Sequence, residues 1–486
     1  MSDGRPSTGN HSSDTPTQKD ALAEGEAKQQ AAEEELNKED LSLLDNFKIL
    51  FGASRGFWLV NQVNFLDGIA YFGILHLLTL FITRDVGLSI NSTTIAVSTF
   101  TGLVTLFMFG GGFVSDALGV RRAISLCLMG LLVGRSMLLA SPVVGGPVMM
   151  WGGLLLMAIA TGILQPALYA GVKEYSDPRT ATIGYSLLYS IMNLGIVAEA
   201  FVSPVIREVS REGAFDNTPF APLVNPENGI GGVYIALVGV TILMFLLHTS
   251  MFSKKVEDRD RWVKEEEKPR DAVKKPLLQR MKELPFLDAR FIFFIFILLP
   301  VRTLFAHQFL TLPEYIFRAY PEAIADKLEW FQGLNPLIIV IFVPLIAMFT
   351  RKVGVVKMMI WGTALSAITT FILVPGPDVT RLIIYVVMFS FGEAIWSSRF
   401  LEYVADLAPA GKVGAYMGLA GIPWFLAKAT TGWYAGSMID KFIPVGGAEA
   451  SGTMWLVYGF IACISPIGLL IGYKWVTQGA HTGRDK

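Results

Sequence analysis

The chain has 486 residues, of which 52% are hydrophobic and only 17% charged, and its formal net charge is −1. That balance excludes a soluble protein of this length, and without a basic face to neutralise phosphates it excludes nucleic acid as a partner. The two cysteines, Cys127 and Cys463, lie in apolar runs, so the sequence offers neither a disulfide framework nor a zinc site.

Residues 1–46 are polar and rich in Ser, Thr, Glu, Lys and Ala, without the apolar stretch of a signal peptide, and are expected to be a disordered cytoplasmic tail. Apolar runs then follow near 55–83, 92–115, 121–141, 147–173, 180–206, 231–252, 289–317, 332–350, 354–374, 380–405, 411–438 and 453–476. Each is long enough to cross a hydrocarbon core of about 30 Å as a helix. The sixth and seventh runs are separated by residues 253–288, dense in both signs of charge. The expected fold is therefore an all-α membrane protein of 12 transmembrane helices in two six-helix bundles. The bundles would be residues 47–252 and 289–477, with 253–288 as a charged cytoplasmic linker and 478–486 as a cytoplasmic tail. Lys and Arg number roughly twenty on the linker's side against roughly seven on the other, which places both termini in the cytoplasm. The expected location is the cell's inner (plasma) membrane. The lipid bilayer is then the standing partner, and the chain is expected to be a monomer.

The connection between the second and third runs reads Gly112-Phe-Val-Ser-Asp116-Ala-Leu-Gly119-Val-Arg121-Arg122. Gly112 is expected to allow close helix approach and Gly119 to permit the turn. Asp116 is placed to cap the next helix and pair with a base, and Arg121 and Arg122 stay on the cytoplasmic side. The spacing resembles the loop between helices 2 and 3 of the major facilitator superfamily; an ordinary short loop with positive-inside charge is the alternative. A weaker echo stands at residues 351–357 in the second half.

Ionisable and amide side chains inside the spans say more about function, because such groups are costly in lipid. In the first span Asn61, Asn64, Gly68 and Tyr71 stack on one helical face, with Asp67 at its edge. A mid-membrane Asp67 must be protonated, paired or solvated, which makes it a candidate proton carrier. Glu393 in the tenth span is a candidate cavity residue and Asn335 in the eighth a candidate amide acceptor, although Asn335 also precedes Pro336 and can serve the backbone groups that proline frees. His307 reads as a hydrogen-bonding residue or a proton relay. Arg302 and Lys428 are candidate charge pairs or carboxylate ligands, and Arg399 and Glu402 candidate elements of an intracellular gate.

Taken in order, these segments resemble the proton-dependent oligopeptide transporter family. Where that family has Glu-x-x-Glu-Arg-Phe-x-Tyr-Tyr-Gly, this chain has Asn64, Asp67, Gly68, Ile69, Tyr71, Phe72 and Gly73; where it has a lysine before proline, this chain has Gln165-Pro166. Tyr185 to Gly195, with Tyr189 and Asn193, follows the family's fifth-span pattern. Leu304-Phe305-Ala306-His307-Gln308, Leu334-Asn335-Pro336-Leu337, Gly392-Glu393, Leu407-Ala408-Pro409 with Met417-Gly418, and Trp424-Phe-Leu-Ala427 are similar to its later segments.

The resemblance implies a substrate site of Asn64, Tyr71, Gln165, Asn193, Asn335, Glu393 and Trp424. In it Asn335 and Glu393 would hold an amino group, Asn193 and Tyr71 would meet the backbone, and Asp67, His307 or Glu393 would carry the proton. The expected activity is secondary active transport, with no cofactor and a proton gradient as driving force. The solute is a small molecule such as a di- or tripeptide, or an amine-bearing relative of one. A proton-driven exporter of hydrophobic or cationic compounds, an uncoupled facilitator and a transport-dead sensor remain open. An enzyme is disfavoured, because no nucleotide loop, Ser/His/Asp set or paired His/Glu metal motif is present.

Overall fold

The computed structural model describes residues 52–175, 181–261, 289–350, 353–407, 420–445, 447 and 450–477. In the first bundle the long helices are α1 (Arg55–Arg84), α2 (Ile90–Leu118), α3 (Val120–Ala140), α4 (Gly146–Tyr175), α5 (Ala181–Arg211) and α6 (Ile230–Met251). Serines start the first two: Ser54 Oγ accepts from the Phe57 amide and Ser89 Oγ from the Ser92 amide. A single residue, Gly119, separates α2 from α3, and its φ of 77° is one that L side chains rarely adopt. Gly112, expected to let helices close up, has open space around it. The neighbouring Gly111 makes the approach, since a Cβ there would stand 2.4 Å from the Gly162 carbonyl oxygen of α4. A shift of one residue turns a helical side chain by about 100°, so the face pressed against α4 belongs to Gly111.

The second bundle begins with α7, which consists of three pieces laid end to end: Ala289–Ile297, Leu299–Leu310 and Leu312–Ala319. The second and third pieces each carry a proline in their first turn, Pro300 and Pro313, where the missing N–H does least harm. There follow α8 (Leu328–Phe349), α9 (Val355–Thr369, continued by the 3₁₀ turn Thr370–Leu373), α10 (Val379–Leu407), α11 (Ile422–Phe442) and α12 (Ser451–Ile471). Ten of these twelve helices are long and apolar enough to cross a membrane. The other two, α8 and α11, are of similar length and stand at the junction between the bundles.

Within the first bundle α1 packs on α5 and α6, and α4 on α2 and α3; within the second α10 packs on α8 and α9, and α12 on α7 and α9. The bundles meet along two main seams, α2 against α11 and α5 against α8, with α7 leaning on α1. Of the 253–288 segment, Lys254–Asp260 forms a short helix docked on the first bundle: Asp260 Oδ2 accepts from the Gly56 amide at 2.8 Å, and Arg121 Nε donates to Glu257 Oε2 at 2.8 Å. The remainder of that segment from 262, both tails and residues 408–419 lie outside the described residues.

The bonds joining the bundles gather from the midplane to the membrane face opposite this segment, here termed the far face. Thr79 Oγ1 donates to the Phe309 carbonyl at 2.6 Å, Asn91 Nδ2 to Asp440 at 3.0 Å, and Thr94 Oγ1 to the Gly432 carbonyl at 3.1 Å. Between α5 and α8, Arg207 Nη1 pairs with Glu329 at 2.9 Å, and Arg211 holds both oxygens of Asp326 at 2.9 and 3.0 Å. The seams thus differ in kind. The α5/α8 seam is ionic, and the α2/α11 seam is a contact of small residues, where a Cβ on Gly432 would meet Ser98 Oγ at 2.1 Å and the Thr94 carbonyl at 2.6 Å.

Gly432→Val therefore cannot fit the closed seam. It should disfavour this form, and a cysteine placed beside the cavity should become several-fold more reactive to a polar thiol reagent applied at the far face. Unchanged reactivity would mean that the seam is not what holds that face shut.

Candidate functional site

Beneath the far-face seal the two bundles enclose a cavity of about 260 Å³. The first bundle contributes Tyr71, Phe72, Leu75 and His76 from α1, Val97 and Thr101 from α2, and Tyr189, Met192, Asn193 and Ile196 from α5. The second contributes Phe305, Gln308 and Phe309 from α7, Gln332 and Asn335 from α8, Phe389 and Glu393 from α10, and Trp424 and Lys428 from α11. Mostly apolar walls with a few convergent polar groups are the usual form of a small-molecule site.

Its charged pair is Glu393 and Lys428. Asn335 Nδ2 donates to Glu393 Oε2 at 2.7 Å and to Ser390 Oγ at 3.1 Å, which fixes the carboxylate without neutralising it. Lys428 Nζ donates to Thr105 Oγ1 of the opposite bundle at 3.3 Å and stands 5.8 Å from the centre of the Trp424 ring. Among the described residues no carboxylate lies within salt-bridge distance of Lys428 and no cation within salt-bridge distance of Glu393. One wall therefore presents a carboxylate and an ammonium, both open to a ligand. Phe305 and Trp424, with ring centres 5.4 Å apart, stand beside them.

Six of the residues singled out from the sequence thus converge here: Tyr71, Asn193, Asn335, Glu393, Trp424 and Lys428. Asn193 Nδ2 is already engaged with the Tyr189 carbonyl at 2.9 Å, which leaves its oxygen for the cavity. The others stand elsewhere. Asn64 is buried against α5, donating to the Leu188 carbonyl at 2.6 Å. Close contact explains this: a Cβ on Gly68, one turn along, would sit 2.6 Å from the Met192 carbonyl oxygen. Gln165 is absent from the cavity lining.

His307 is enclosed in the second bundle, with Nδ1 2.8 Å from Thr311 Oγ1, Nε2 3.1 Å from Tyr434 Oη, and its ring stacked on Tyr458 at 3.8 Å. Arg302 is wholly buried and lies against rings instead of acids, with its guanidinium carbon 4.2 Å from the centre of Phe400, 4.9 Å from Trp424 and 5.9 Å from Trp396. Arg399 donates to Thr350 Oγ1 at 2.9 Å, and Arg122 is exposed. The side chains of Asp116 and Glu402 lie outside the described residues.

Asp67 has a partner that the sequence reading passed over. Arg135 of α3, 1% exposed, donates through Nη2 to Asp67 Oδ1 at 2.7 Å and through Nη1 to Thr241 Oγ1 of α6 at 2.7 Å. The pair ties α1, α3 and α6 together outside the cavity, so the carboxylate expected to move protons stands in a buried ion pair away from the lining. A second missed group is His76, whose Nδ1 lies 3.0 Å from Glu199 Oε2. Arg135 and His76 both carried the signal that picked out Glu393, an ionisable side chain inside an apolar run.

The family model described as the Major Facilitator Superfamily matches residues 63–427. The chain belongs to the Major Facilitator Superfamily. It is a multi-pass membrane protein of a transporter family, not an enzyme. It is 23% identical over 447 residues to a dipeptide and tripeptide permease A of Erwinia pyrifoliae, a match covering 80% of this chain and 86% of that one. A dipeptide and tripeptide permease A of Edwardsiella piscicida is also 23% identical, over 462 residues, with 82% and 88% covered. In fold the transporter resembles a POT family transporter in complex with 5-aminolevulinic acid, with a TM-score of 0.66, 16% identity and 88% and 98% of the two chains covered. It likewise resembles a peptide transporter POT in complex with sulfate, with a TM-score of 0.68, 17% identity and 90% and 99% covered.

Two outcomes follow for the charges of the first bundle. Arg135→Leu strands Asp67 in the bundle and should cost about 3–5 kcal/mol, whereas Arg135→Leu with Asp67→Leu should recover most of the loss of thermal stability in detergent. Just past the end of α1, burial pushes the Asp85 carboxyl up to about 6, only partly offset by the amides of Asn228 and Asn225 and by Arg84. A raised carboxyl stabilises the fold in its protonated form, fully below the unfolded value of about 4 and progressively less as pH rises through about 6. Asp85→Asn should therefore stand much closer to the parent's melting temperature at pH 4.5 than at pH 7.5, where it should exceed it; a constant offset at both would show that Asp85 is not the titrating group.

Proposed function

We propose that this transporter is a proton-coupled symporter of small peptides or peptide-like, amine-bearing solutes, working by alternating access between the two bundles. The observation that carries this reading is the pair of unneutralised opposite charges, Glu393 and Lys428, on the walls of one cavity. A zwitterion brings an ammonium to the first and a carboxylate to the second, and in a site walled by aromatic rings each contact is stronger than it would be in water. The names of the curated relatives, dipeptide and tripeptide permeases, support the same solute class.

In this reading Glu393, steadied by Asn335, takes the ammonium, and Lys428 takes the carboxylate. Tyr71 and Asn193 meet the solute's backbone from the first bundle, while Trp424 packs against its side chains. Because solute contacts come from both bundles, binding favours their approach on whichever side is open. A cavity closed to one face can then pass to a form closed to the other. The form described here is the one shut at the far face. With the linker and both termini in the cytoplasm, as the Lys and Arg distribution supports, that face is the outside of the cell membrane and release is inward. The bundles, residues 47–252 and 289–477, move as units joined by 253–288, and one chain is sufficient for the cycle.

Uptake of a labelled dipeptide library into proteoliposomes tests this directly. At least one dipeptide should accumulate under an inward proton gradient and merely equilibrate without it. Glu393→Gln should lower that accumulation about tenfold or more. Equal uptake with and without the gradient would make the protein a facilitator, and wild-type accumulation by Glu393→Gln would remove the ammonium site.

A further inference from the structure

If Glu393 is committed to the solute's ammonium and Asp67 to Arg135, the coupling proton needs another place to bind. We infer that it binds at His76, with Glu199 as its positioning partner, at the roof of the cavity where the far-face seal begins. This inference rests on the proposed symport and assigns the proton's site within it.

The two residues are placed for that task. His76 lines the cavity, and Glu199 stands behind it in α5, 1% exposed. His76 Nδ1 is 3.0 Å from Glu199 Oε2, and Ser203 Oγ donates to Glu199 Oε1 at 2.6 Å, so both carboxylate oxygens are occupied. The close approach depends on Gly73, because a Cβ there would meet the Glu199 Cγ at 2.8 Å. With Nδ1–H directed at the carboxylate, the lone pair of Nε2 is left free, and among the described residues Nε2 has no protein partner.

The charge balance then sets the direction. Neutral His76 beside ionised Glu199 leaves one net negative charge buried in the first bundle, which is costly. A proton passing from cavity water to Nε2 converts the pair to imidazolium and carboxylate, with no net charge, and breaks no hydrogen bond of Glu199. The groups packed around them do not supply this compensation. Tyr234 from α6 donates to the Ile74 carbonyl, α7 brings the uncharged Phe309 and Gln308, and Glu329 of α8 is held by Arg207. On the cavity side the charged groups are Glu393 and Lys428, and Asp67 lies more than two turns back along α1, paired with Arg135.

The proton is also read by the seal. The His76 ring stacks on Phe309 of the opposite bundle, 5.9 Å between centres with the planes 14° apart, and three residues further along α1 Thr79 donates to the carbonyl of the same Phe309. An imidazolium interacts with a ring face more strongly than neutral imidazole does. Protonation at His76 therefore tightens the inter-bundle contact at this point, and deprotonation loosens it.

The test uses a labelled dipeptide that the wild-type protein accumulates, measured both as gradient-driven uptake and as counterflow at equal pH on the two sides. His76→Gln should lose driven accumulation at least tenfold, keep counterflow within about twofold and show a flat counterflow–pH profile. Glu199→Gln, which retains an acceptor for Nδ1–H but not its charge, should keep driven uptake and move the midpoint of its pH profile about one unit lower. A His76→Gln protein with wild-type accumulation and pH profile would overturn the assignment while leaving the symport intact. So would a monodisperse His76→Gln protein that loses counterflow as severely as driven uptake, since that is the mark of a structural role. A wild-type protein that accumulates no dipeptide would instead overturn the symport itself.

Discussion

A charge enclosed among apolar helices must be met by another group or carry a large energetic penalty, and the two bundles meet this requirement differently. The first meets its interior acids with groups of its own: Asp67 with the Arg135 guanidinium, Glu199 with the His76 ring and the Ser203 hydroxyl. The second leaves Glu393, Lys428 and Arg302 without counter-ions among the described residues, supported by an amide, a hydroxyl, aromatic rings and, for Arg302, the Ala420 carbonyl at 3.4 Å. One half thus holds its acids against partners of its own, and the other keeps charges available. Because the cavity lies where they meet, a ligand's charges can be recognised largely by the second bundle while the first supplies shape, aromatic surface and backbone contacts.

The fold was legible because bilayer physics leaves few choices. Apolar runs of the right length have to be helices, and a single long charged connection divides them into two sets of six. The finer structure of α7 was not, since its run was read as one continuous span. Pro300 and Pro313, each without an N–H to give, divide it into three pieces and put the Phe309 carbonyl beside the second break, within reach of Thr79.

The site was half legible. Glu393, Asn335 and Lys428 stood out because polar groups inside a span demand a reason, Trp424 stood out through the family resemblance, and all four face the cavity. Asp67 and His307 stood out for the same reason but satisfy it inside a bundle, a distinction that depends on which neighbouring helix comes close and is invisible in one strand of sequence. Arg207 and Glu329 escaped for a different cause. The fifth run was read as ending at 206 and the eighth as starting at 332, so two of the ions that latch the bundles were counted as loop charges. Helix ends are where hydropathy is least informative, and here they carry the seal.

The ring-bound guanidinium of Arg302 has a consequence of its own. It stands behind Trp424, a residue of the cavity wall, and the ring faces that surround it stabilise its charge without cancelling it. One indole thickness of low-dielectric material screens such a charge far less than water would, so its field extends into the cavity although no solute touches it. Lys428 and Glu393 line the space itself, and Arg302 adds a third charge that acts on it through the wall.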